Sequence, residues 1–181
     1  MSKSLFCIVI LLLFLSGCRS LDVGETQPDF VSSGKVSLKT PNQARSGRFS
    51  WEEYRADANG VHYVLEVWGP LGQGRTRLAG TDEFLEIIQN GKILAQGESQ
   101  LLMLEHLGWS VPLDVLSAWI KGAPHPDTPF DEMATEPGAR LFNQARWQVT
   151  LSRFEGVHPT RISAVRGTLK VLLVSRPGRN Q

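Results

Sequence analysis

The sequence has few of the residues that carry disulfide, zinc or nucleic-acid chemistry. Only two cysteines occur among its 181 residues, which excludes a disulfide-dense scaffold and a zinc module built on several cysteines. The 19 basic and 18 acidic side chains nearly cancel, whereas binding of nucleic-acid phosphates needs clustered Lys and Arg on a basic surface. We therefore expect one domain of ordinary size that does not bind nucleic acid.

Motifs for catalysis and metal binding are also missing from the sequence. The four histidines show no pair at metal-ligand spacing, and no Gly-x-Ser-x-Gly elbow of a serine hydrolase occurs. The glycine-rich segment 69–74 lacks the Gly-Lys-Ser/Thr of a phosphate loop. The acidic pairs at 52–53, 82–83 and 131–132 are predicted to be solvated strand edges, because neighbours on a strand point to opposite faces. We expect no enzyme activity, no cofactor and no metal.

The first eighteen residues have the pattern of a lipoprotein signal peptide. Lys3 precedes an unbroken apolar run over residues 5–15, and Ser16, Gly17 and Cys18 follow it. The run is too short to cross a membrane, which takes about twenty apolar residues. The Leu-Ser-Gly-Cys string resembles the lipobox, in which the cysteine is acylated and becomes the mature N-terminus. A plain secretory signal that happens to contain a cysteine is the alternative.

Cleavage before Cys18 predicts a lipid-anchored protein with a short tether. Loss of residues 1–17 removes Lys3 and leaves 18 basic and 18 acidic side chains. Arg19 then follows the acylated cysteine. An Asp at that position would resemble an inner-membrane retention signal, so the presence of Arg19 instead favours the outer membrane. We predict a signal peptide over 1–17, a lipidated Cys18 and tether over 18–29, one domain over 30–176 and a tail over 177–181. The domain would face the periplasm.

Alternation of apolar and polar residues predicts a meander of antiparallel strands. The apolar members of the alternating segments are Val36 and Leu38, Phe49 and Trp51, Val61 to Val67 at odd positions, Trp147, Val149 and Leu151, Ile162 and Ala164, and Leu169, Val171 and Leu173. Asn90-Gly91 predicts a hairpin between residues 85–89 and 92–96, because this dipeptide suits a two-residue turn.

The middle of the chain instead predicts two short helices. Residues 98–107 are crowded with Leu and Met, and a second helix is expected to begin near Pro112 and to end at Gly122. A Pro-rich connection over 123–138 then leads back to strands. The fold class is therefore mainly β with α, a sheet interrupted by two apolar helices. Their shared interior is either a packed core or a hydrophobic cavity with a helical lid.

Several short motifs, taken together, resemble the LolB family of outer-membrane lipoproteins. They are Gly-Pro-Leu-Gly at 69–72, Leu-Gly-Trp-Ser-Val-Pro at 107–112, Trp-Ile-Lys-Gly-Ala-Pro at 119–124 and Arg-Trp-Gln-Val at 146–149. With the lipobox they cover nearly the whole chain in order. The short signal peptide and tether, and the basic stretch at 176–179, depart from the family's pattern.

This resemblance implies a fold, a function and partners. The fold would be a half-open antiparallel β-barrel covering short helices, with an apolar cavity for acyl chains. The protein would accept acylated lipoproteins from the periplasmic carrier LolA and insert them into the outer membrane without using ATP. Its partners would be LolA, lipoprotein cargo and outer-membrane phospholipid, and it would be a monomer. A structural lipoprotein with a solid core, or a lipoprotein enzyme acting on envelope lipids, are the alternatives.

Candidate site residues follow from the same comparison. Large or flexible apolar side chains suit a cavity that fills and empties, although each also suits a plain core. The candidates for the lining are Trp51, Leu65, Leu101, Leu104, Leu116, Trp119 and Trp147. Pro70, Leu71 and Gly72 form the second candidate site, because an apolar residue is unusual in a turn. In the family the matching leucine projects and delivers cargo to the membrane; otherwise Leu71 folds back onto the sheet.

Overall fold

A single antiparallel sheet is the frame of the protein. The computed structural model describes residues 27–56 and 60–177. In chain order the elements are β1 (Phe30–Lys39), β2 (Ala44–Ala56), β3 (Gly60–Trp68), β4 (Thr76–Gly80), β5 (Phe84–Gln89), β6 (Lys92–Glu98), α1 (Ser99–Leu107), α2 (Leu113–Lys121), β7 (Phe130–Met133), β8 (Ala139–Gln144), β9 (Trp147–Glu155), β10 (His158–Arg166) and β11 (Leu169–Pro177).

The strand order leaves the sheet open. The 11 strands are arranged β6-β5-β4-β3-β2-β1-β11-β10-β9-β8-β7, with antiparallel neighbours throughout. The first and last strands of the chain pair in the middle of the sheet, and β6 and β7 are its two edges. Both helices belong to the connection between these edges. The predicted class, a mainly β protein with a half-open antiparallel barrel and two helices, is confirmed.

Local turn chemistry explains where the predicted hairpin and helices end. Asn90 and Gly91 have φ of 50° and 73°, which a tight hairpin turn requires, and they join β5 to β6 as expected. Gly108 ends α1 and Gly122 ends α2, both in the left-handed conformation. A Cβ at Gly122 would collide with the carbonyl oxygen of Val157, so this helix end requires glycine.

One apolar core lies between the inner face of the sheet and the two helices. Leu65, Leu78 and Ile87 stand opposite one another on β3, β4 and β5, and all three are buried. They belong to one cluster with Met103 of α1 and Trp119 of α2. Every strand, helix and core residue that the structure describes lies within residues 30–177. A chain that begins at Arg19 therefore contains the entire described fold.

The predicted signal peptide, Cys18 and most of the tether lie outside the described residues, as does the tail from residue 178. At the start of the described chain, the Asp29 N–H donates to the Glu53 carbonyl at 2.8 Å, and its carboxylate accepts from the Arg55 N–H at 2.6 Å. Within residues 27–56 and 60–177, no helix is long and apolar enough to span a membrane.

Candidate functional site

Leu71 projects from a tight turn between β3 and β4. Its side chain is 97% exposed, and its φ of 61° lies in the left-handed region that a branched residue normally avoids. The Gly69 N–H donates to the Gln73 carbonyl at 2.8 Å and closes the base of the turn. The turn over residues 70–72 therefore holds Leu71 away from the sheet instead of folding it back.

An apolar groove opens beside this turn. Its volume is about 270 Å³, and Gly69 and Gly74, which flank the Leu71 turn, form part of its rim. Its apolar lining comes from β1, β3, the end of α1 and the residues that follow α1, and it consists of Val36, Leu38, Val67, Trp68, Leu107 and Trp109. Arg45, Ser46, Thr76 and His106 add polar groups to the lining. A groove of this size and lining can receive several methylene groups of a hydrocarbon chain.

The interior behind the groove is almost completely filled. A cavity lined by Trp109, Trp119 and Trp147 measures about 10 Å³, which is at most the space of one water molecule. Trp51, Leu65, Leu116, Trp119 and Trp147 are all buried as the sequence predicts, and the last three border this cavity. The predicted acyl-chain cavity is therefore not open in this conformation, because large side chains occupy its volume.

Leu101 and Leu104 do not line the interior. They are 51% and 48% exposed on α1, whereas Leu102 and Met103 of the same helix are buried. Residues 101–104 are all apolar, so apolar side chains lie on every side of this short helix. Apolar periodicity therefore does not show which of them face the sheet. In this conformation Leu101 and Leu104 lie outside the buried interior, and their place in an acyl-chain lining stays a prediction.

Trp109 separates the groove from the interior, a role that the sequence analysis did not assign. It borders both the 270 Å³ groove and the small cavity. Its ring packs edge-on against Trp147, with centroids 6.5 Å apart, and the Trp147 indole N–H donates to the Ser110 carbonyl at 3.2 Å. The signal was present in the motif at 107–112, where Trp109 directly follows the helix-ending Gly108.

A buried carboxylate attaches α2 to β2. Glu53 is 4% exposed, and its Oε1 accepts from the Trp51 indole N–H at 2.8 Å and from the Ser117 hydroxyl at 2.6 Å. Its Oε2 accepts from the Lys121 ammonium group. Burial, and then the charge of Glu53, raise the pKa of Tyr63. The prediction that residues 52–53 are a solvated edge is therefore wrong for Glu53, because the helix brings donors to it.

A buried amide attaches α2 to β8. Gln144 Oε1 accepts from the Trp119 indole N–H at 2.8 Å and from the His125 N–H at 2.9 Å. Its Nε2 donates to the carbonyls of His125 and Thr128, each at 2.8 Å. Both donors and both acceptor positions of the amide are thus used, and α2 is held from a second side.

Asp82, in the loop between β4 and β5, holds the start of α2. Its carboxylate accepts from the Leu113 N–H at the first turn of the helix. Burial, and then the charge of Asp114, raise the pKa of the Asp82 carboxyl. The expectation of a solvated strand edge at 82–83 is therefore wrong for Asp82.

Attachment of α1 is confined to one end. The Ser99 N–H donates to the Glu83 carbonyl at 3.1 Å, and the Ser99 hydroxyl donates to the Thr81 carbonyl at 2.9 Å. Both acceptors lie in the loop between β4 and β5, and both bonds are made by the first residue of α1. The rest of α1 is held by apolar contacts of the buried Leu102 and Met103 and of the partly buried Leu107. In the described part of the chain, fewer side-chain hydrogen bonds therefore hold α1 than hold α2.

Replacement of Glu53 by Leu is expected to lower the free energy of unfolding by about 3 kcal/mol. The Trp51 and Ser117 donors would lose their buried acceptor, and each unsatisfied group costs about 1–3 kcal/mol. Lys121 contributes little, because its side chain is 42% exposed and can be solvated. Urea unfolding measures the loss.

Glu53→Gln is the matched control, because the amide keeps the size and one acceptor oxygen and should lose about half as much. Equal stability of Glu53→Leu and wild type, within about 0.5 kcal/mol, would mean that the buried carboxylate does not stabilise α2.

No metal-binding arrangement accompanies these contacts. Among residues 27–56 and 60–177, no three His, Cys, Asp or Glu side chains come close enough together to hold a metal ion. The candidate site therefore consists of the exposed Leu71 turn, the apolar groove, Trp109 and the filled interior behind it.

Comparisons with known proteins identify a family for this chain. The family described as "Outer membrane lipoprotein LolB" matches residues 28–176. Outer-membrane lipoprotein LolB from Marinomonas sp. (strain MWYL1) is 27% identical over 87% of this chain and 85% of its own. The protein of that name from Cellvibrio japonicus is 26% identical over 95% of each chain, and that from Stutzerimonas stutzeri is 31% identical over 78% and 69%.

A solved LolA superfamily protein from Nitrosomonas europaea is 8% identical, with a TM-score of 0.41 over 84% of this chain and 85% of its own. The family match spans both helices, the Leu71 turn and all of the sheet except its last residue, Pro177. The chain belongs to the LolB family of outer-membrane lipoproteins.

Proposed function

We propose that this protein receives acylated lipoproteins from the periplasmic carrier LolA and delivers them to the outer membrane. Membership of the LolB family supports a function in lipoprotein localisation. The observation that carries the finer proposal is the placement of an exposed Leu71 directly beside an apolar groove. The protein would act as a monomer, anchored through an acylated Cys18 and facing the periplasm.

Burial of hydrocarbon supplies the free energy of cargo binding. Each methylene group removed from water contributes about 0.8 kcal/mol, so an acyl chain needs a shielded path between carrier and membrane. The groove offers about 270 Å³ for the first part of that chain. Transfer from LolA needs no ATP if cargo is bound more tightly here, since about 1.4 kcal/mol gives a tenfold preference.

Deeper entry of the acyl chain requires α1 to move, because the interior is filled. Separation of Leu102 and Met103 from the core costs on the order of 2 kcal/mol for each side chain. Burial of about ten methylene groups returns about 8 kcal/mol, which exceeds this cost. Helix α1 can swing about Ser99, while Glu53 and Gln144 keep α2 in place. The closed conformation is then the cargo-free state.

Release of cargo into the membrane would depend on Leu71. An exposed leucine that enters the interfacial region of a bilayer contributes about 2 kcal/mol, in addition to the Cys18 lipid anchor. The groove lies next to the turn, so an acyl chain leaving the groove would meet the lipid at that point. Outer-membrane phospholipid is thus the third partner, after LolA and the cargo.

A transfer experiment tests the proposal. LolA loaded with a fluorescently labelled lipoprotein is mixed with the chain that begins at Arg19, without nucleotide, and the two proteins are separated. We expect the label to move to this chain. Retention of the label by LolA, or transfer only with added ATP, would contradict the proposal.

The filled interior taken alone also fits a structural lipoprotein with a solid core, although the family assignment does not favour that alternative. A fluorescent fatty acid separates the two functions. The solid-core alternative predicts no uptake by the same chain, whereas a receiver of acyl chains takes the probe up.

A further inference from the structure

The outer face of the central strands carries a basic surface. One row across the sheet is formed by Arg48 on β2, Lys35 on β1, Val174 on β11 and Arg161 on β10, each opposite the next in register. Arg48, Lys35 and Val174 are exposed, and Arg161 is half-buried. Lys35 and Arg161 therefore flank the exposed Val174, and Arg48 lies on the far side of Lys35.

The next two rows towards the Leu71 end continue this pattern without any carboxylate. They consist of Ser46, Ser37, Leu172 and Ser163, followed by Ala44, Lys39, Lys170 and Val165. Basic side chains and hydroxyl groups are thus mixed with apolar side chains over four neighbouring strands. Such a surface suits an anionic ligand that also has apolar parts.

The positive charge of this face is not neutralised within the described fold. Lys35 stands directly opposite Arg48, and Lys39 directly opposite Lys170. Like charges at opposed positions destabilise a sheet. Among residues 27–56 and 60–177, none of these cations has a carboxylate oxygen within 4.0 Å. Binding of an anion would remove the repulsion.

A groove of about 550 Å³ crosses this face; we term it the outer groove. Its polar lining is formed by the cations Lys35 and Arg48 and the hydroxyl groups of Ser37 and Ser46, and Leu172 contributes apolar surface. Ammonium, guanidinium and hydroxyl groups together are suited to the oxygens of a phosphate. The apolar part can accept the hydrocarbon next to such a phosphate.

We infer that the outer groove binds the headgroup of an anionic phospholipid and fixes this face of the sheet on the membrane. Pro70 also lines the groove, and it directly precedes Leu71. Headgroup binding and insertion of Leu71 therefore take place side by side on the same bilayer. This inference rests on the proposed function of Leu71. An acidic surface of the carrier would also complement the positive charge of the outer groove. The position of the groove next to Leu71 favours a lipid instead.

Vesicle binding of the double variant Lys35→Gln/Arg48→Gln tests the outer groove. The chain from Arg19 is mixed with vesicles of phosphatidylcholine alone, or of equal parts phosphatidylcholine and phosphatidylglycerol. Wild type should bind the anionic vesicles more tightly, and the double variant should lose about 30-fold, or about 2 kcal/mol, on them. Binding to phosphatidylcholine should be unchanged. High salt should remove the difference.

Lys92→Gln/Arg153→Gln is the matched control. Both residues are exposed, lie outside the outer groove and have no carboxylate partner in the described chain. An equal loss in this control would mean that net charge, and not the groove, binds the vesicles. A second outcome concerns Lys35→Gln/Arg48→Gln. If this variant still binds the vesicles but no longer accepts cargo from LolA in their absence, the outer groove binds the carrier. Either result overturns the inference.

The two proposals fail in different ways. Leu71→Glu tests insertion, and normal insertion by that variant would contradict the proposed function whichever lipid is used. The Lys35 and Arg48 substitutions instead test only the added affinity that phosphatidylglycerol brings. If wild type binds both kinds of vesicle equally, the outer groove has no headgroup function, while insertion through Leu71 would stand.

Discussion

Leu71→Glu is expected to reduce delivery of lipoproteins into membranes by about 100- to 1,000-fold. The substitution removes about 2 kcal/mol of apolar burial in the bilayer and adds the cost of placing a carboxylate in the interface, about 1–2 kcal/mol. Stability should not change, because Leu71 is 97% exposed. Acceptance of cargo from LolA should also stay normal, because Leu71 does not line the groove or the interior.

Delivery is measured as transfer of a labelled lipoprotein from this chain to vesicles, and acceptance as its transfer from LolA in solution. Gln73→Glu is the matched control, since it places the same charge on the same exposed loop and keeps the leucine. Delivery at the wild-type rate by Leu71→Glu would remove Leu71 from the mechanism. A similar defect in Gln73→Glu would mean that negative charge near the membrane, and not loss of the leucine, is responsible.

Features set by neighbouring residues were predictable from the sequence. Asn90-Gly91 determines the hairpin between β5 and β6, and Gly108 and Gly122 determine where the helices end. The short edge strand β7 (Phe130–Met133) was missed within the connection over 123–138. Its sequence does not alternate and all its residues are exposed, so its pairing with β8 left no pattern to recognise.

Features set by distant residues were not predictable in the same way. Glu53 accepts a hydrogen bond from Ser117, which is 64 positions away in the chain. No residue near Glu53 in the sequence indicates that its carboxylate is buried. Pairing of β1 with β11 likewise depends on the whole chain. The outer groove is formed by that pairing, because it brings Val174 beside Lys35. Site residues could be proposed from composition, but their joint arrangement could not.

A filled interior and a function in lipid transfer are compatible on energetic grounds. An empty apolar cavity large enough for an acyl chain would forfeit many packing contacts, so collapse around the aromatic side chains stabilises the cargo-free protein. Trp119 and Trp147 supply this packing, and each also has its indole N–H satisfied by Gln144 or Ser110. Most of α1, by contrast, is held by apolar contacts, which an acyl chain can replace with apolar contacts of its own.

Trp109→Ala is expected to join the groove to the interior, with two measurable results. Loss of a buried tryptophan should lower the free energy of unfolding by about 3–5 kcal/mol, equivalent to about 10–15 °C in Tm for a domain of this size. Uptake of a fluorescent fatty acid should become faster, because less of the closed structure has to rearrange before hydrocarbon can enter.

Leu104→Ala is the control for Trp109→Ala, because Leu104 is 48% exposed and borders neither the groove nor the small cavity. It should change stability and uptake little. Slower or unchanged uptake by Trp109→Ala, at a temperature where the variant is folded, would mean that acyl chains do not pass Trp109. Faster uptake together with the expected loss of stability would instead mean that Trp109 has two effects. Its side chain stabilises the closed fold, and it limits entry of the acyl chain because it borders both the groove and the interior.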